Sequence, residues 1–426
     1  MVASASPIAS AVGRDVLLAG GNAVDAAVAV GFALAVVHPE AGNLGGGGFM
    51  LIRTRAGGTH FLDYRETAPS GATRDMYLDA QGQPTERSMT GHLAAGVPGS
   101  VAGLVEAQRK FGRLPLARVI EPAIRLADSG FTVDEHRSES IASERDRLAR
   151  FPASTAAFLP GGEAPRPGTV LVQRDLGRTL AAIRDRGAAG FYEGPVAELI
   201  VAEMQRGGGL ITHQDLARYR AIWRDPIVAR YHGWTLYSAA PASAGGVVLT
   251  ELLNIAGGFP EAPFGSTALL HREAEAMRRA YLDRNRFLGD PDFVSVPLQC
   301  LLSPAYADSL RATIGPKATH TAAVLESGPR GASTTHYSVV DAEGNAVSCT
   351  TTLNDSYGSA VTVTGAGFLL NDEMDDFATA PGKPNLYGLV QGEANAIEPG
   401  KRMLSSMTPT IALDPKVQVA LVLVTP

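Results

Sequence analysis

The 426-residue chain has only two cysteines, Cys300 and Cys349, far apart and in no CxxC pair. That leaves no material for a disulfide framework or a zinc ribbon, and at most one bridge. Runs of five or more basic residues are missing, and a formal net charge of −6 argues against a nucleic-acid surface. There is no HExxH and no clustered His–Cys pattern, so no metal site is read, and lone histidines such as His271 are read as structural. The opening "MVASASPIASAVG" has neither a basic n-region nor an apolar h-region, so no signal peptide is read. Long apolar runs are also lacking. The most apolar tract, "AVDAAVAVGFALAVV" at 23–37, is too short to cross a bilayer and contains Asp25. It reads as a buried core helix, with Asn22 at the N-cap and Asp25 three residues on in a capping-box pattern. A hydrophobic share of 45% fits a soluble globular protein with a large core.

Along the chain, residues 6–37 read as two helices broken at "AGGNA", and Pro39 stops the second. Extended runs follow at 49–53 and in "GTHFLDYRET", then helical patterns at 99–130 parted near 112–115. Residues 135–220 look mostly helical, and 226–240 alternate like paired strands around His232 and Gly233. A helix at 268–288 carries Leu270, Ala274, Met277 and Tyr281 as an apolar stripe. "LESGPRGAS" at 325–333 reads as a linker, after which the character becomes β. Helices first and strands last predict α+β or a layered αββα sandwich.

The most informative stretch is "TTHYSVVDAEGNAVSCTTT", from 334 to 352. Both ends have the β-branched bias of strands, and "DAEGN" supplies turn chemistry, with Gly344 suited to a left-handed position. Pairing Asp341 with Asn345 sets Thr334 opposite Thr352, whose Cβ atoms would stand about 5 Å apart. A threonine oxygen needs a base to act as a nucleophile. Cleavage between Ser333 and Thr334 would supply one, the freed α-amine of Thr334, with an ordinary pKa near 8. Thr352 would then orient the nucleophilic oxygen. From spacing alone, two facing threonines read as a plain strand pair.

"TTHYSVVDAEGNAVS", "TLNDSYGS", "GFLLNDEMDDF" and "LSSMTPTI", with "GGNAVDAAVAV", "GGGGFMLI", "DYRETAP" and "GVPGSVAGL" before them, resemble the γ-glutamyltranspeptidases, or glutathione hydrolases. The resemblance runs from residue 2 to 426. It implies an α/β (α+β) chain folded as a four-layer αββα sandwich of the N-terminal nucleophile hydrolase type. It also implies a proenzyme that cuts itself into a large portion, 1–333, and a small portion, 334–426, together one domain. By that resemblance Thr334 is the nucleophile and Thr352 its hydrogen-bonding partner. Asn354, Glu373 and Asp376 hold the substrate's α-amine, Arg65, Ser405 and Ser406 hold its α-carboxylate, and Tyr387 belongs to a lid. The implied partners are glutathione or a related γ-glutamyl compound and a water, amino-acid or peptide acceptor, with no cofactor and no nucleic acid. The implied location is periplasmic or extracellular. Taken singly, Arg65 reads as a surface ion pair and "DEMDDF" as a solvated acidic turn.

The chain stops at Pro426, where the family continues into a paired-glycine oxyanion loop. The C-terminal part is therefore expected to be incomplete, and the chain as written a poor catalyst. "VQVALVLV" reads as a central strand. Two alternatives stay open: a cephalosporin or glutaryl acylase of the same fold, and an unprocessed glutamyl-binding protein. A nucleotide-binding loop at "GNLGGGG" is set aside because no GK[ST] follows. "GSVAG" at 99–103 is no nucleophile elbow, because Ser100 directly follows its first glycine.

Overall fold

Around the apolar helix Ala23–Val37, buried over its whole length, the rest of one half of the molecule is assembled. A helix apolar on every side has to lie inside. Its capping box is present: Asn22 Oδ1 accepts from the amides of Val24 and Asp25, and Asp25 accepts from the Asn22 amide. Asp25 is itself satisfied by Gln108 Nε2 at 2.6 Å and by the amides of Arg113 and Leu114. The helices Pro7–Leu18, Ser100–Phe111 and Leu116–Ser129 pack against it. The computed structural model describes residues 1–319, 334–380, 382 and 390–423. The 325–333 linker, Ser333 and Tyr387 lie outside the described residues.

The described strands are β1 (Val2–Ala3), β2 (Gly47–Arg53), β3 (Thr59–Asp63), β4 (Phe131–Thr132), β5 (Val170–Leu171) and β6 (Ile222–Arg224). They continue with β7 (Ile227–Tyr231), β8 (Trp234–Ser238), β9 (Thr334–Val340), β10 (Ala346–Thr352), β11 (Thr410–Leu413) and β12 (Val419–Leu423). One antiparallel sheet runs β1-β9-β10-β2-β3-β6, a second runs β12-β11-β8-β7, and β4 pairs only with β5. Strand alternation divides β2 between two cores. Met50 and Ile52 join the Ala23–Val37 helix, whereas Phe49 and Leu51 face Ile227, Ile411 and Leu413 of the second sheet. The helix Gly245–Ala256 covers β7 and β8 on the far side, with Thr267–Phe287 packed on it. Helix, sheet, sheet, helix is the αββα sandwich that the sequence predicts.

Two expectations are corrected. The stripe on Thr267–Phe287 faces solvent: Leu270, Met277 and Tyr281 are exposed, while Glu275, Ala276, Ala280 and Arg284 are buried. Small side chains at 276 and 280 let this helix approach closely, and that outweighs the apolar pattern. Among the described residues β12 stands at the edge of its sheet, where the sequence reads as a central strand. Among the described residues it pairs only with β11, and Leu421 and Leu423 are exposed.

Candidate active site

The predicted hairpin has the predicted register. Thr334 faces Thr352 across β9 and β10, and the Asp341 amide donates to Asn345 O at 3.0 Å. Gly344 closes the turn with φ at 88°. At the open end the Thr334 and Thr352 hydroxyls stand 3.3 Å apart, with Thr334 as donor. Thr352 Oγ1 also accepts from the Asn354 amide at 2.9 Å.

Glycines fix where this pair sits. A Cβ at Gly46 would fall 2.1 Å from Thr352 O, and one at Gly48 would fall 2.2 Å from Thr350 O. Only glycine lets the backbone pass so close. Asn43, which the sequence reading missed, ties this loop to β10: Nδ2 donates to Thr352 O at 2.8 Å and Oδ1 accepts from the Gly46 amide.

From the hairpin a chain of contacts leads to the charged residues. Asn354, held at φ 82°, donates from Nδ2 to Asp372 O at 3.1 Å. Its left-handed backbone is one that asparagine tolerates. Glu373 follows, on the 3-10 turn Glu373–Asp376, and lies 2.5 Å from Arg65 Nη1. Arg65 Nη2 pairs with Asp376, and its Nε donates to Met403 O at 3.3 Å. Two residues beyond Met403 comes Ser405, whose Oγ accepts from the Met407 amide at 3.1 Å. Ser406 Oγ accepts from Arg284 Nη2 at 3.0 Å.

Neither single-residue reading of these charges holds. Arg65 is 1% exposed and Glu373 fully buried, so they form an interior ion pair rather than a surface one. The turn is not solvated. Met374 and Phe377 pack on Ala68, Tyr77 and Met403, and Asn371 anchors the approach by donating to Gly45 O and Gly96 O. Among the predicted site residues, Thr334, Asp376 and Ser406 keep some exposure, while Asn354 and Ser405 are buried.

Three carboxyl groups, Glu66, Glu373 and Asp376, surround the single Arg65 guanidinium. Burial works against the Arg65 charge, but Glu373, Asp376 and Glu66 outweigh it and hold its pKa above the ordinary value. Burial pushes both Glu66 and Glu373 up, against Arg65, and takes Glu66 to about 8. Glu373 is at 2.5 Å from the guanidinium and Glu66 at 3.7 Å. Burial thus favours a shared proton on the Glu66–Glu373 pair, and the Arg65 guanidinium opposes it.

An αββα sandwich with a threonine hydroxyl pair at the end of an inner hairpin defines an N-terminal nucleophile hydrolase. The family model for gamma-glutamyltranspeptidase matches residues 9–426, and the chain belongs to that family. Its activity is the transfer or hydrolysis of γ-glutamyl groups. A glutathione hydrolase proenzyme of Pseudomonas sp. (strain A14) is 50% identical over 418 residues, 96% of this chain and 73% of that protein. The gamma-glutamyltranspeptidase of Helicobacter pylori matches with a TM-score of 0.73 and 45% identity, over 74% of this chain and 92% of that one. The cephalosporin acylase from Bacillus halodurans matches with a TM-score of 0.86 and 30% identity, over 98% of this chain and 75% of that one. No helix among the described residues is long and apolar enough to cross a membrane.

Proposed function

We propose that the chain is a precursor that opens its own Ser333–Thr334 peptide bond, giving portions 1–333 and 334–426. The observation that carries this is the Thr334–Thr352 hydroxyl pair, 3.3 Å apart, at the start of the strand that cleavage would expose. The freed α-amine of Thr334 then serves as base in the nucleophile's own residue. It takes the hydroxyl proton as Oγ1 attacks the γ-carbonyl carbon of the donor. The amide C–N bond breaks, the proton goes to the leaving amine, and a γ-glutamyl ester remains on Thr334. Water attacking that ester releases glutamate, and an amino-acid or peptide amine takes the group as a new amide. Both outcomes restore Thr334.

The proposed donor is glutathione or a related γ-glutamyl compound, and the proposed setting is the periplasm or the cell exterior. Thr352 orients the nucleophile. Asn354, Glu373 and Asp376 receive the donor's ammonium, and Ser405 and Ser406 its carboxylate together with Arg65. Remote capture of both charges positions the γ-carbonyl against Oγ1, which is where such binding energy does most. The likeness to a cephalosporin acylase favours a second reading, acylase activity. The acid excess around Arg65 speaks against it, because a glutaryl group brings no ammonium to neutralise that excess.

The test is Thr334→Ala. The variant is expected to remain one uncut chain by mass spectrometry and to release no nitroaniline from γ-glutamyl-p-nitroanilide. Turnover by this variant, or cutting at another bond, would overturn the assignment.

A further inference from the structure

Arg284, in the last turn of the helix Thr267–Phe287, is 2% exposed. Its guanidinium donates from Nη2 to Ser406 Oγ and from Nη1 to Asn285 Oδ1, both at 3.0 Å. Nε is buried without a hydrogen-bond partner, and no carboxylate among the described residues lies within ion-pair distance. A buried cation without a counter-ion is costly, and that cost falls when an anion arrives. Burial lowers the Arg284 pKa, Asp376 opposes the fall and Arg65 adds to it, so Arg284 lies in the field of the charged residues already described.

The hydroxyls beside it are set to donate. Ser406 Oγ accepts from Arg284 and Ser405 Oγ accepts from the Met407 amide, and neither hydroxyl donates to a described residue. Each keeps one O–H for an external acceptor. Arg65, in contrast, already holds Glu373 and Asp376.

We propose that Arg284 is a positioning residue of the α-carboxylate subsite, fixing Ser406 and compensating the donor's carboxylate through it, beside Arg65. This rests on the γ-glutamyl reading above. It makes Arg284 a determinant, through Ser406, of preference for donors that carry an α-carboxylate.

The test compares native protein, Arg284→Met and Arg284→Lys on three anilides: γ-glutamyl, glutaryl (no ammonium) and 4-aminobutyryl (no α-carboxylate). Arg284→Met is expected to raise KM for the first two by about 10- to 100-fold, the worth of a hydrogen bond to a charged group. It should change kcat less and leave the 4-aminobutyryl anilide unaffected. Arg284→Lys, which keeps the charge, should recover part of the loss. Should Arg284→Met fail to accumulate, Arg284→Lys and Ser406→Ala carry the test, both being expected to act on the carboxylate-bearing donors alone. Equal loss on all three anilides, or none, would overturn the proposal. Native protein that prefers the 4-aminobutyryl anilide to the γ-glutamyl one would overturn the γ-glutamyl reading itself.

Discussion

At the scale of single residues, Thr352 has two duties that rest on one oxygen. Its oxygen caps the Asn354 amide and faces the Thr334 hydroxyl. Thr352→Val keeps the shape and removes both functions. Leaving a buried amide without its acceptor costs about 1–3 kcal/mol. The variant is therefore expected to melt a few degrees lower and to lose at least tenfold in kcat towards γ-glutamyl-p-nitroanilide, whereas Thr352→Ser keeps most of both. If Thr352→Val matches the native kcat, Thr352 does not orient the nucleophile. This pair could be read from the sequence because everything that sets it is local: a five-residue turn and strict alternation. The pairing of Arg65 with Asp376 could not, because 311 residues separate them. Arg284 was missed for a different reason. Its signal is the four-residue spacing of Ala276, Ala280 and Arg284 on the buried face, which a louder apolar stripe on the adjoining face conceals.

At the scale of elements, β2 reads differently on its two edges. Towards the cores its side chains are large, at Phe49, Met50, Leu51 and Ile52, while the glycines before them bring the backbone against β10. Gly48→Ala would place a methyl carbon 2.2 Å from Thr350 O, a backbone atom that cannot rotate away. The strands have to part, and overpacking of this kind costs about 1–3 kcal/mol. Since Thr350 and Thr352 belong to the same strand, the displacement reaches the hydroxyl pair. Gly48→Ala is expected to lower the melting temperature by several degrees and to reduce kcat with it, as read from thermal denaturation and anilide turnover. A variant with native Tm and native kcat would mean that the glycine run is not what places β10. Glycine repetition suggests close approach from sequence, but the partner it approaches appears only in the assembled sheet.

At the scale of the whole molecule, the portions on either side of residue 333 are woven together rather than placed side by side. In the first sheet β9 lies between β1 and β10, and β10 lies between β9 and β2. In the second, β11 pairs with both β8 and β12. Each sheet thus takes strands from both portions, and the two inner faces share one core, with Phe49 and Phe61 from one portion against Ile411 and Leu413 from the other. Layer order was legible from the order of helices and strands, but this interleaving was not, because strand neighbours are set by contacts between distant segments. It carries a consequence for the proposed cleavage. Opening the bond before Thr334 breaks one covalent link and no sheet pairing among the described residues, while separating the portions would expose both strand edges and the shared core. Cys300 and Cys349 are both free, so no disulfide holds the portions together. The cut protein is therefore expected to run as one species in gel filtration without denaturant, with or without reductant, and to divide into two chains in guanidinium. Two separately eluting folded chains in native buffer would show that the portions are independent units and that the shared sheets do not hold them.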